Sequence, residues 1–470
     1  MAADIPLAPA ACSSGSTSDV PDAPDYEREL AYFFGRLNYE HAPQTARSLA
    51  DFQLGRMQDL LARLGHPELR IPCIHVAGSK GKGSVATMVA RMLEAAGLKV
   101  GLFTSPHLSD FRERMTVNGA LSSKWELLDP MRRLHAIAEE MAVNSPWGAP
   151  TFFELTTALG WLHFEQQAVD FVSLEVGLGG RLDSTNLCAP LVTVITSISH
   201  DHTRLLGSTL PEIAREKAGI IKPRVPVLSS VRDESAREVI RNIAASRLAP
   251  LKELDADLEL TILQESASHP RRPACCGIAV SGSGWSHENL QLAMPGRHQA
   301  RNAAVAVAAV EELKRVGLQV PDSAIQEGLR RAVVPGRIEV LREQPLLIVD
   351  AAHNEASIQA LCDTLRPLPA GRRRCVFAAS RDKDVRAMLR VIGEFADELI
   401  LTRYVNNPRA MSPEDLQVIA GEVMTGPVPL ADNPRAALEQ IERTARVDDL
   451  VVCTGSLFLA AEVRELMARE

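Results

Sequence analysis

The sequence predicts an α/β protein built from two domains, an N-terminal domain with a mostly parallel sheet and a small antiparallel addition, and a C-terminal α/β domain. Three observations predict this class. Strand-like apolar runs alternate with segments whose apolar residues recur at helical spacing. The strand-like runs are continuous in Val, Ile and Leu, which is typical of parallel strands buried on both faces. The length of 470 residues favours more than one domain.

The first segment, residues 1–27, is expected to be a disordered tail. It is rich in Ala, Ser, Pro and Asp, and such a composition buries too little apolar surface to fold. It has neither a basic start nor an apolar centre, so it does not resemble a secretory signal.

A βαβ unit opens the N-terminal domain. The run IPCIHVAG (71–78) predicts a buried strand, SVATMVARMLEAAG (84–97) predicts a helix, and KVGLFTS (99–105) predicts the next strand. A glycine-rich turn joins the first strand to the helix. The same periodicities then predict helices at 152–167, 211–221 and 300–317, parallel strands at 170–177 and 191–198, and the short strands of the antiparallel addition at 259–263, 277–282 and 288–294.

After VPGR (334–337) the alternation of strands and helices starts again, which places a domain boundary near Pro335. This second series predicts the C-terminal domain, with strands at 346–353, 374–380, 398–404 and 449–456 and helices at 354–365, 385–396, 413–424 and 456–470.

Composition excludes several classes of protein. The net charge of −8 provides no global attraction to nucleic acid or to an acidic membrane, so we expect neither partner. The sequence has no uninterrupted apolar run long enough to span a bilayer. Eight cysteines are scattered without metal-ligand spacing, which favours reduced thiols in a cytoplasmic protein.

The glycine-rich turn, GSKGKGS (78–84), predicts a phosphate-binding loop, and we call it the phosphate loop. Its glycines allow backbone N–H groups to approach phosphate oxygens, and the helix that follows presents its positive end to the same anion. Lys82 would neutralise phosphate charge. The loop is shorter than the usual pattern, which has four residues between the first Gly and Gly-Lys-Ser/Thr. It therefore does not match the commonest P-loop ATPases and GTPases, although glycine in such a turn also has a purely steric use.

Several motifs occur together along the chain: HVAGSKGKGS, LFTSPHL with FRERMTVNG, EVGLGGRLDSTN, DHTRLLG, REKAGIIK, GRHQARNA, VPGRIEV, DAAHN, DKD and TGSL. In this order they resemble the folylpolyglutamate synthase/dihydrofolate synthase family of Mur-type ATP-dependent amide ligases. The resemblance covers about residues 28–470. It implies a P-loop-type central domain at 28–334 that binds ATP, and a Rossmann-like glutamate-ligase domain at 335–470.

The resemblance implies an enzyme that joins L-glutamate to a folate-type acceptor, either dihydropteroate or a tetrahydrofolate polyglutamate. ATP would activate the acceptor carboxylate as an acyl phosphate, with two Mg²⁺ ions as cofactors and Lys217 modified to a carbamate. We expect small-molecule substrates and a monomer. Two alternatives remain at this point, namely a Mur-type ligase of a cell-wall precursor and a silent nucleotide-binding protein.

Site residues follow from the matching motif positions. The resemblance assigns catalysis to Lys82, Lys217 and His353; ATP binding to Gly78, Ser79, Lys80, Gly81, Lys82, Gly83, Ser84, Asn302, Arg337 and Asp350; metal binding to Ser105, Glu175, His202 and carbamylated Lys217; and folate binding to Phe152, Phe153, Arg181 and Asp183.

Many of these residues also have a structural interpretation. Polar residues near a helix start can be caps, which applies to Ser84, Asn302 and His353. Asp350 can hold the interdomain linker, Arg337 can be a surface charge, and the two phenylalanines can be core residues. Glu175 can be a capping or ion-paired carboxylate, Lys217 a solvated helix lysine, and His202 a hydrogen-bonded core residue.

Three positions depart from the usual pattern of the family. Ser79-Lys80 stands where Thr-Asn is usual, Ala351 where Gly is usual, and Arg204 where Asp is usual. Arg204 places a positive charge beside the expected metal site, so substrate preference is the property that these departures affect most.

Overall fold

The computed structural model describes residues 23–38, 53–200, 202–266, 272–424 and 426–469. The first helix begins at Ala23, so the expected disordered tail at 1–27 is wrong for residues 23–27, and its remainder lies outside the described residues. Tyr26 and Phe33 of this helix are buried, and that apolar face explains why the helix forms.

A seven-stranded sheet forms the centre of the N-terminal half. Its strand order is β3-β2-β4-β1-β5-β6-β7, and every neighbouring pair is parallel except β2 and β3 at one edge. The predicted mostly parallel sheet is therefore confirmed. The strands are β1 (Cys73–Ala77), β2 (Val100–Phe103), β3 (Met115–Val117), β4 (Phe171–Glu175), β5 (Pro190–Ile195), β6 (Val227–Ser229) and β7 (Leu251–Glu253).

Ten helices of the described residues belong to this half of the chain. Two apolar clusters flank the central sheet; one includes α3 and α9, and the other includes α2, α4 and α5. The helices are α1 (Ala23–Gly35), α2 (Leu54–Leu64), α3 (Lys82–Ala95), α4 (Lys124–Asn144), α5 (Phe152–Gln166), α6 (Thr203–Leu206), α7 (Leu210–Ala218), α8 (Glu234–Ser246), α9 (Arg297–Arg315) and α10 (Asp322–Arg331).

The antiparallel addition is a three-stranded sheet of order β10-β9-β8, as the sequence predicts. Its inward residues join the same apolar cluster as α3 and α9, so the small sheet packs on the N-terminal core. The strands are β8 (Glu259–Ser266), β9 (Cys275–Gly282) and β10 (Trp285–Pro295).

The C-terminal half has a five-stranded sheet of order β11-β12-β15-β13-β14, in which only β11 is antiparallel. Apolar clusters cover both faces, which confirms the Rossmann-like α/β class. The strands are β11 (Glu339–Glu343), β12 (Leu346–Val349), β13 (Arg373–Phe377), β14 (Glu398–Leu401) and β15 (Leu450–Thr454), and the helices are α11 (Glu355–Leu365), α12 (Val385–Gly393), α13 (Pro413–Val423), α14 (Pro434–Glu442) and α15 (Leu457–Ala468).

Two further findings concern the chain as described. The seven cysteines within the described residues all carry free thiols, and six of them are buried. No described helix has both the length and the apolar character that a membrane span requires.

Candidate active site at the junction of the two halves

The phosphate loop leaves β1 at the centre of the seven-stranded sheet and enters α3. Gly81 is the N-cap of α3 and has a φ of 86°, in the left-handed region that favours glycine. A Cβ on Gly78 would lie 1.9 Å from Oγ1 of Thr196, so no larger residue fits there. The two glycines therefore set the path of the loop, and the free N–H groups of the first turn of α3 point toward the space beyond it.

A segment after β5 holds the loop in place. Ser79 donates its backbone N–H to the carbonyl of Ser197 at 2.7 Å, and its hydroxyl exchanges hydrogen bonds with the backbone of Ser199 at 3.0 and 3.1 Å. The carbonyl of Lys80 accepts from Thr196 Oγ1 at 2.6 Å and from Ser197 Oγ at 3.0 Å. Sequence reasoning missed these residues, although a Ser/Thr-rich segment at the end of a neighbouring parallel strand is a usable signal.

Glu175 ends β4, next to β1, and its carboxylate lies beside the phosphate loop. Nζ of Lys82 is 3.8 Å from Oε1 of Glu175, and the N–H of Ser105 donates to Oε2 at 3.2 Å. Burial raises the pKa of Glu175, while the positive charges of Lys82 and Arg337 and the Ser105 hydrogen bond oppose that rise. The structure thus brings Lys82, Ser105 and Glu175 together at the carboxyl end of parallel strands, where open α/β sheets bind ligands.

Lys217 lies on α7, and its side chain is buried. Its Nζ donates to the carbonyl of Gly78 at 2.9 Å, so the solvated interpretation of this lysine is wrong. His202 lies in the loop before α6, with φ 51°, and is partly exposed. Its metal role stays a prediction.

Asn302 lies on α9 and faces the phosphate loop. A Cβ on Gly81 would come within 2.4 Å of Oδ1 of Asn302, so the two residues are in direct contact. Its Nδ2 donates to Oε1 of Gln299 at 2.9 Å. Gly296 is the N-cap of α9, so the capping interpretation of Asn302 is wrong. The N-cap of α3 is likewise Gly81, and Ser84 does not cap that helix.

His353 reaches the phosphate loop from the C-terminal half. Its Nε2 is 2.9 Å from Nζ of Lys80, and its Nδ1 is 2.9 Å from the carbonyl of Ala351. Because a carbonyl only accepts, Nδ1 carries the proton and Nε2 holds the lone pair. Asn354, not His353, caps α11, so the capping interpretation of His353 is wrong.

Arg337 lies in the linker just before β11, and Asp350 directly follows β12. The Asp350 carboxylate accepts from the N–H groups of Ile338 and Ala352, both at 2.8 Å, which is the linker-holding role. Burial raises the pKa of Asp350, and the charge of Arg337 opposes this. Arg337 itself is exposed. Its charge acts on both Asp350 and Glu175, so it stands between the two halves.

Phe152 and Phe153 open α5 and have different surroundings. Phe152 is buried and stacks on Phe34 with ring centroids 5.1 Å apart, so it is a core residue. Phe153 is partly exposed and packs closely against Gly177, where an added Cβ would meet its ring at 2.3 Å. Of this pair, Phe153 keeps a surface that a ligand can contact.

Arg181 and Asp183 lie in the loop that follows β4. The guanidinium of Arg181 donates to Oε1 of Glu216 at 2.9 and 3.0 Å. Asp183 is buried, and it accepts from the N–H of Leu178 at 2.8 Å and from Thr185 at 2.5 and 3.0 Å. These contacts show how the two side chains shape the loop, and their folate-binding role stays a prediction.

The residues around Glu175 fit a magnesium ion. A Cβ on Gly83 would lie 3.2 Å from Oε2 of Glu175, so glycine leaves open the space beside a hard oxygen ligand. A second group, formed by His287, Glu311 and Asp322, also has ligand-type atoms within 4.8 Å of one another. There the ammonium of Lys314 lies 2.7 Å from Glu311 and 3.0 Å from Asp322, which identifies an ion-pair network.

Comparisons with known proteins agree with this geometry. The model for the Mur ligase middle domain matches residues 76–310, and the model for the Mur ligase glutamate ligase domain matches residues 336–457. The chain is 37% identical over 446 residues to the dihydrofolate synthase/folylpolyglutamate synthase of Bacillus subtilis, covering 94% of this chain and 98% of that protein.

Solved structures agree as well. The Mycobacterium tuberculosis folylpolyglutamate synthase, solved with ADP and AMPPCP, is similar with a TM-score of 0.84 at 30% identity, covering 95% of this chain and 99% of the other. Escherichia coli FolC, solved with DHPP and ADP, gives a TM-score of 0.81 at 29% identity, covering 94% and 98%. Sequence, fold and site geometry together place this chain in the folylpolyglutamate synthase/dihydrofolate synthase family of ATP-dependent Mur-type ligases.

Proposed function

We propose that the chain joins L-glutamate to a folate-type acceptor, dihydropteroate or a tetrahydrofolate polyglutamate, at the expense of ATP. The observation that carries this function is the meeting of Lys82 and Glu175 beside the phosphate loop with His353 and Arg337 from the other half. A triphosphate in that space contacts positive groups from both halves of the chain. The names of the Bacillus subtilis and Mycobacterium tuberculosis relatives support the choice of acceptor.

The chemistry requires activation of a carboxylate, because a carboxylate does not react with an amine at neutral pH. Transfer of the γ-phosphoryl group gives an acyl phosphate, which the glutamate amine attacks with release of phosphate. Catalysis of such a transfer consists of positioning and of fixed positive charge near the moving oxygens. Lys82 and the first-turn N–H groups of α3 provide that charge from one side, and Arg337 provides it from the other.

Asn302 and His353 complete the proposed arrangement. Asn302 lies against Gly81, next to the entrance of α3, where it contacts the adenine portion of ATP. His353 directs its Nε2 to the loop beside the Lys80 ammonium, which places the histidine near the γ-phosphate or the incoming glutamate. Closure of the two halves around these contacts excludes water and protects the acyl phosphate from hydrolysis.

Two magnesium ions belong to this proposal. Ser105, Glu175 and His202 would hold the first ion, and Lys217, modified to a carbamate, would provide an oxygen ligand for the second. Bound magnesium neutralises phosphate charge and orients the γ-phosphoryl group. The position of Lys217 beneath the phosphate loop, 2.9 Å from the carbonyl of Gly78, supports a role at the phosphates.

The carbamate has its own test. We expect magnesium affinity, measured by calorimetry in the presence of an ATP analogue, to increase when bicarbonate is added to CO₂-depleted protein. Lys217→Ala removes the amine that accepts CO₂, so its affinity should not respond to bicarbonate. Equal affinity of the wild-type protein with and without bicarbonate would remove the carbamate from the proposal.

The domain organisation and the assembly state are further parts of the proposal. We place the ATP-binding domain at 28–334 and the glutamate-ligase domain at 335–470; the two matched domain models, at 76–310 and 336–457, lie inside these bounds. The chain is proposed to act as a monomer. Limited proteolysis should cut between α10 and β11, and sedimentation velocity should give the mass of one chain.

The decisive test is a glutamate-incorporation assay with dihydropteroate and tetrahydrofolate run side by side. We expect phosphate release from ATP to require glutamate and at least one of the two acceptors together. Release with neither acceptor, or with a cell-wall precursor in their place, would contradict the proposed function. The ratio of the two rates assigns the acceptor.

A further inference from the structure

Lys80 connects the phosphate loop directly to the C-terminal half. Its Nζ lies 2.9 Å from Nε2 of His353, across 273 positions of the chain. Lys82, two residues later, instead points to Glu175 within its own half. The two lysines of this short loop therefore contact different halves of the chain, and Lys80 is the one of the pair that contacts the C-terminal half.

Hydrogen bonds hold the backbone of Lys80 in place, independently of its side chain. Its N–H donates to Ser197 Oγ at 2.9 Å, and its carbonyl accepts from Thr196 Oγ1 and Ser197 Oγ at 2.6 and 3.0 Å. Because these bonds hold the main chain, the reach of the contact comes from the side chain. A long side chain with a terminal donor is required to cover that distance.

The acceptor is equally well defined. The Ala351 carbonyl accepts a hydrogen bond from Nδ1–H of His353, so Nε2 presents its lone pair to the Lys80 ammonium. The N–H of His353 donates to Ser357 Oγ at 3.1 Å, which ties the histidine to the first turn of α11. Hydrogen bonds with a charged donor are about twice as strong as neutral ones.

The contact continues into the linker. The N–H of Ala351 donates to the carbonyl of Gly336 at 2.9 Å, and Gly336 precedes Arg337. A displacement of the His353 loop therefore moves the linker segment that carries Arg337. In this way the side chain of Lys80 is coupled to a cation that acts on Glu175, close to its own loop.

We propose that Lys80 is a positioning residue that holds the His353 loop against the phosphate loop, so that the two halves are already arranged for the triphosphate before it binds. The inference rests on the proposed function, because the ligand is ATP. Preorganisation of this kind lowers the cost of binding, so its loss appears in nucleotide affinity.

The experiment compares Lys80→Met, which keeps length but removes the donor and the charge, with Lys80→Arg, which keeps both. Lys124→Met is the matched control, since it removes one partly exposed lysine of α4 that pairs with Glu27 in the same half of the chain. The first readout is amide hydrogen exchange of residues 351–354 without nucleotide. The second is the Kd of a non-hydrolysable ATP analogue, measured by calorimetry.

Loss of one charge-assisted hydrogen bond is expected to speed exchange at residues 351–354 about tenfold and to weaken analogue binding about tenfold in Lys80→Met. The KM for ATP should rise in parallel, with a much smaller change in kcat. Lys80→Arg should restore most of the affinity, and Lys124→Met should match the wild type. In a His353→Ala background, Lys80→Met should add little, because the acceptor is already absent.

Unchanged exchange at residues 351–354 in Lys80→Met would overturn the inference, because a loss of analogue affinity would then come only from the missing charge near the phosphates. Full additivity with His353→Ala would overturn it as well, since Lys80 would then act without the histidine. The two proposals can also fail separately. If Lys80→Met shows the expected exchange and affinity changes, but the wild-type protein releases no phosphate in the presence of glutamate and acceptor, the positioning role is supported and the proposed ligase activity is overturned.

Discussion

At the residue scale, Gly81 has two separate reasons to be glycine. Its φ of 86° is unfavourable for residues with a side chain, and a Cβ there would come within 2.4 Å of Oδ1 of Asn302. Gly97, at the other end of α3, has a φ of 90° but nothing within 4 Å of an added Cβ. Comparing substitutions at Gly81 and Gly97 therefore separates the cost of the backbone conformation, which both share, from the cost of the contact, which only Gly81 has.

Gly81→Ala is expected to lower the free energy of unfolding by about 1–2 kcal/mol through the left-handed conformation, and Gly97→Ala by a similar amount. Only Gly81→Ala should also weaken ATP binding, because it displaces Asn302 from the loop. Chemical denaturation and nucleotide titration measure the two effects. Equal ATP affinity of both variants would contradict a nucleotide role for Asn302.

The site residues that belong to a sequence motif could be predicted. Those whose role depends on how the elements pack could not be predicted as well. The glycines, Lys82 and Glu175 meet as expected. The capping interpretations of Asn302 and His353 failed because a cap depends on where a helix begins, which sequence gives only approximately. Thr196 and Ser197 were missed because they belong to a different strand end, and only the parallel pairing of β1 with β5 brings them to the loop.

At the scale of elements, α5 illustrates what sequence predicts well. Its residues are buried on nearly all sides, so the helix reads as a continuous apolar segment. Short elements gave no comparable signal. Strands β6 and β7 have three residues each, too few to show a period. Helix α4 is long but was also missed, because Pro130 interrupts its helical pattern.

Helix α5 contains a buried histidine, His163, whose Nδ1 has no hydrogen-bond partner within the described residues. Burial lowers the pKa of His163 below its ordinary value of 6.5; the negative charge of Glu126 opposes this shift, and the positive charge of Lys99 adds to it. Between the folded and the ordinary pKa the unfolded chain binds more protons than the folded one. Stability therefore rises with pH through this window and is lost as the pH falls below about 6.5.

His163→Gln removes this titration, so its unfolding free energy should depend less on pH between about pH 6.5 and pH 5 than that of the wild type. Urea denaturation across that range provides the measurement. His66→Gln, at an exposed position, controls for the substitution itself. A variant with the same slope as the wild type would show that other groups cause the acid sensitivity.

At the scale of the whole molecule, the site exists only where the two halves meet. The seven-stranded sheet provides the phosphate loop and Glu175, and the five-stranded sheet provides His353 and the end of the linker. Sequence order predicted both sheets, since each has a strong local signal. It did not predict which side chains face each other across the junction, because those contacts join residues far apart in the chain, such as Lys80 and His353.

Arg337 gives the sharpest test of this interdomain site. Its side chain is exposed, yet its charge acts on the buried carboxylates of Glu175 and Asp350 in opposite halves. Arg337→Ala is expected to reduce kcat on the order of 100-fold, because a fixed positive group near the transferring phosphoryl is lost. The free energy of unfolding should change by no more than about 0.5 kcal/mol, as for other exposed positions.

Steady-state kinetics and denaturation together distinguish these effects. Arg330→Ala, an exposed arginine of α10, is the matched control and should keep wild-type turnover. Arg337→Lys keeps the charge but not the planar guanidinium, so an intermediate rate is expected if phosphate contact requires that geometry. Wild-type turnover in Arg337→Ala would mean that the linker joins the halves without taking part in catalysis, and the nucleotide would then be held from the N-terminal side alone.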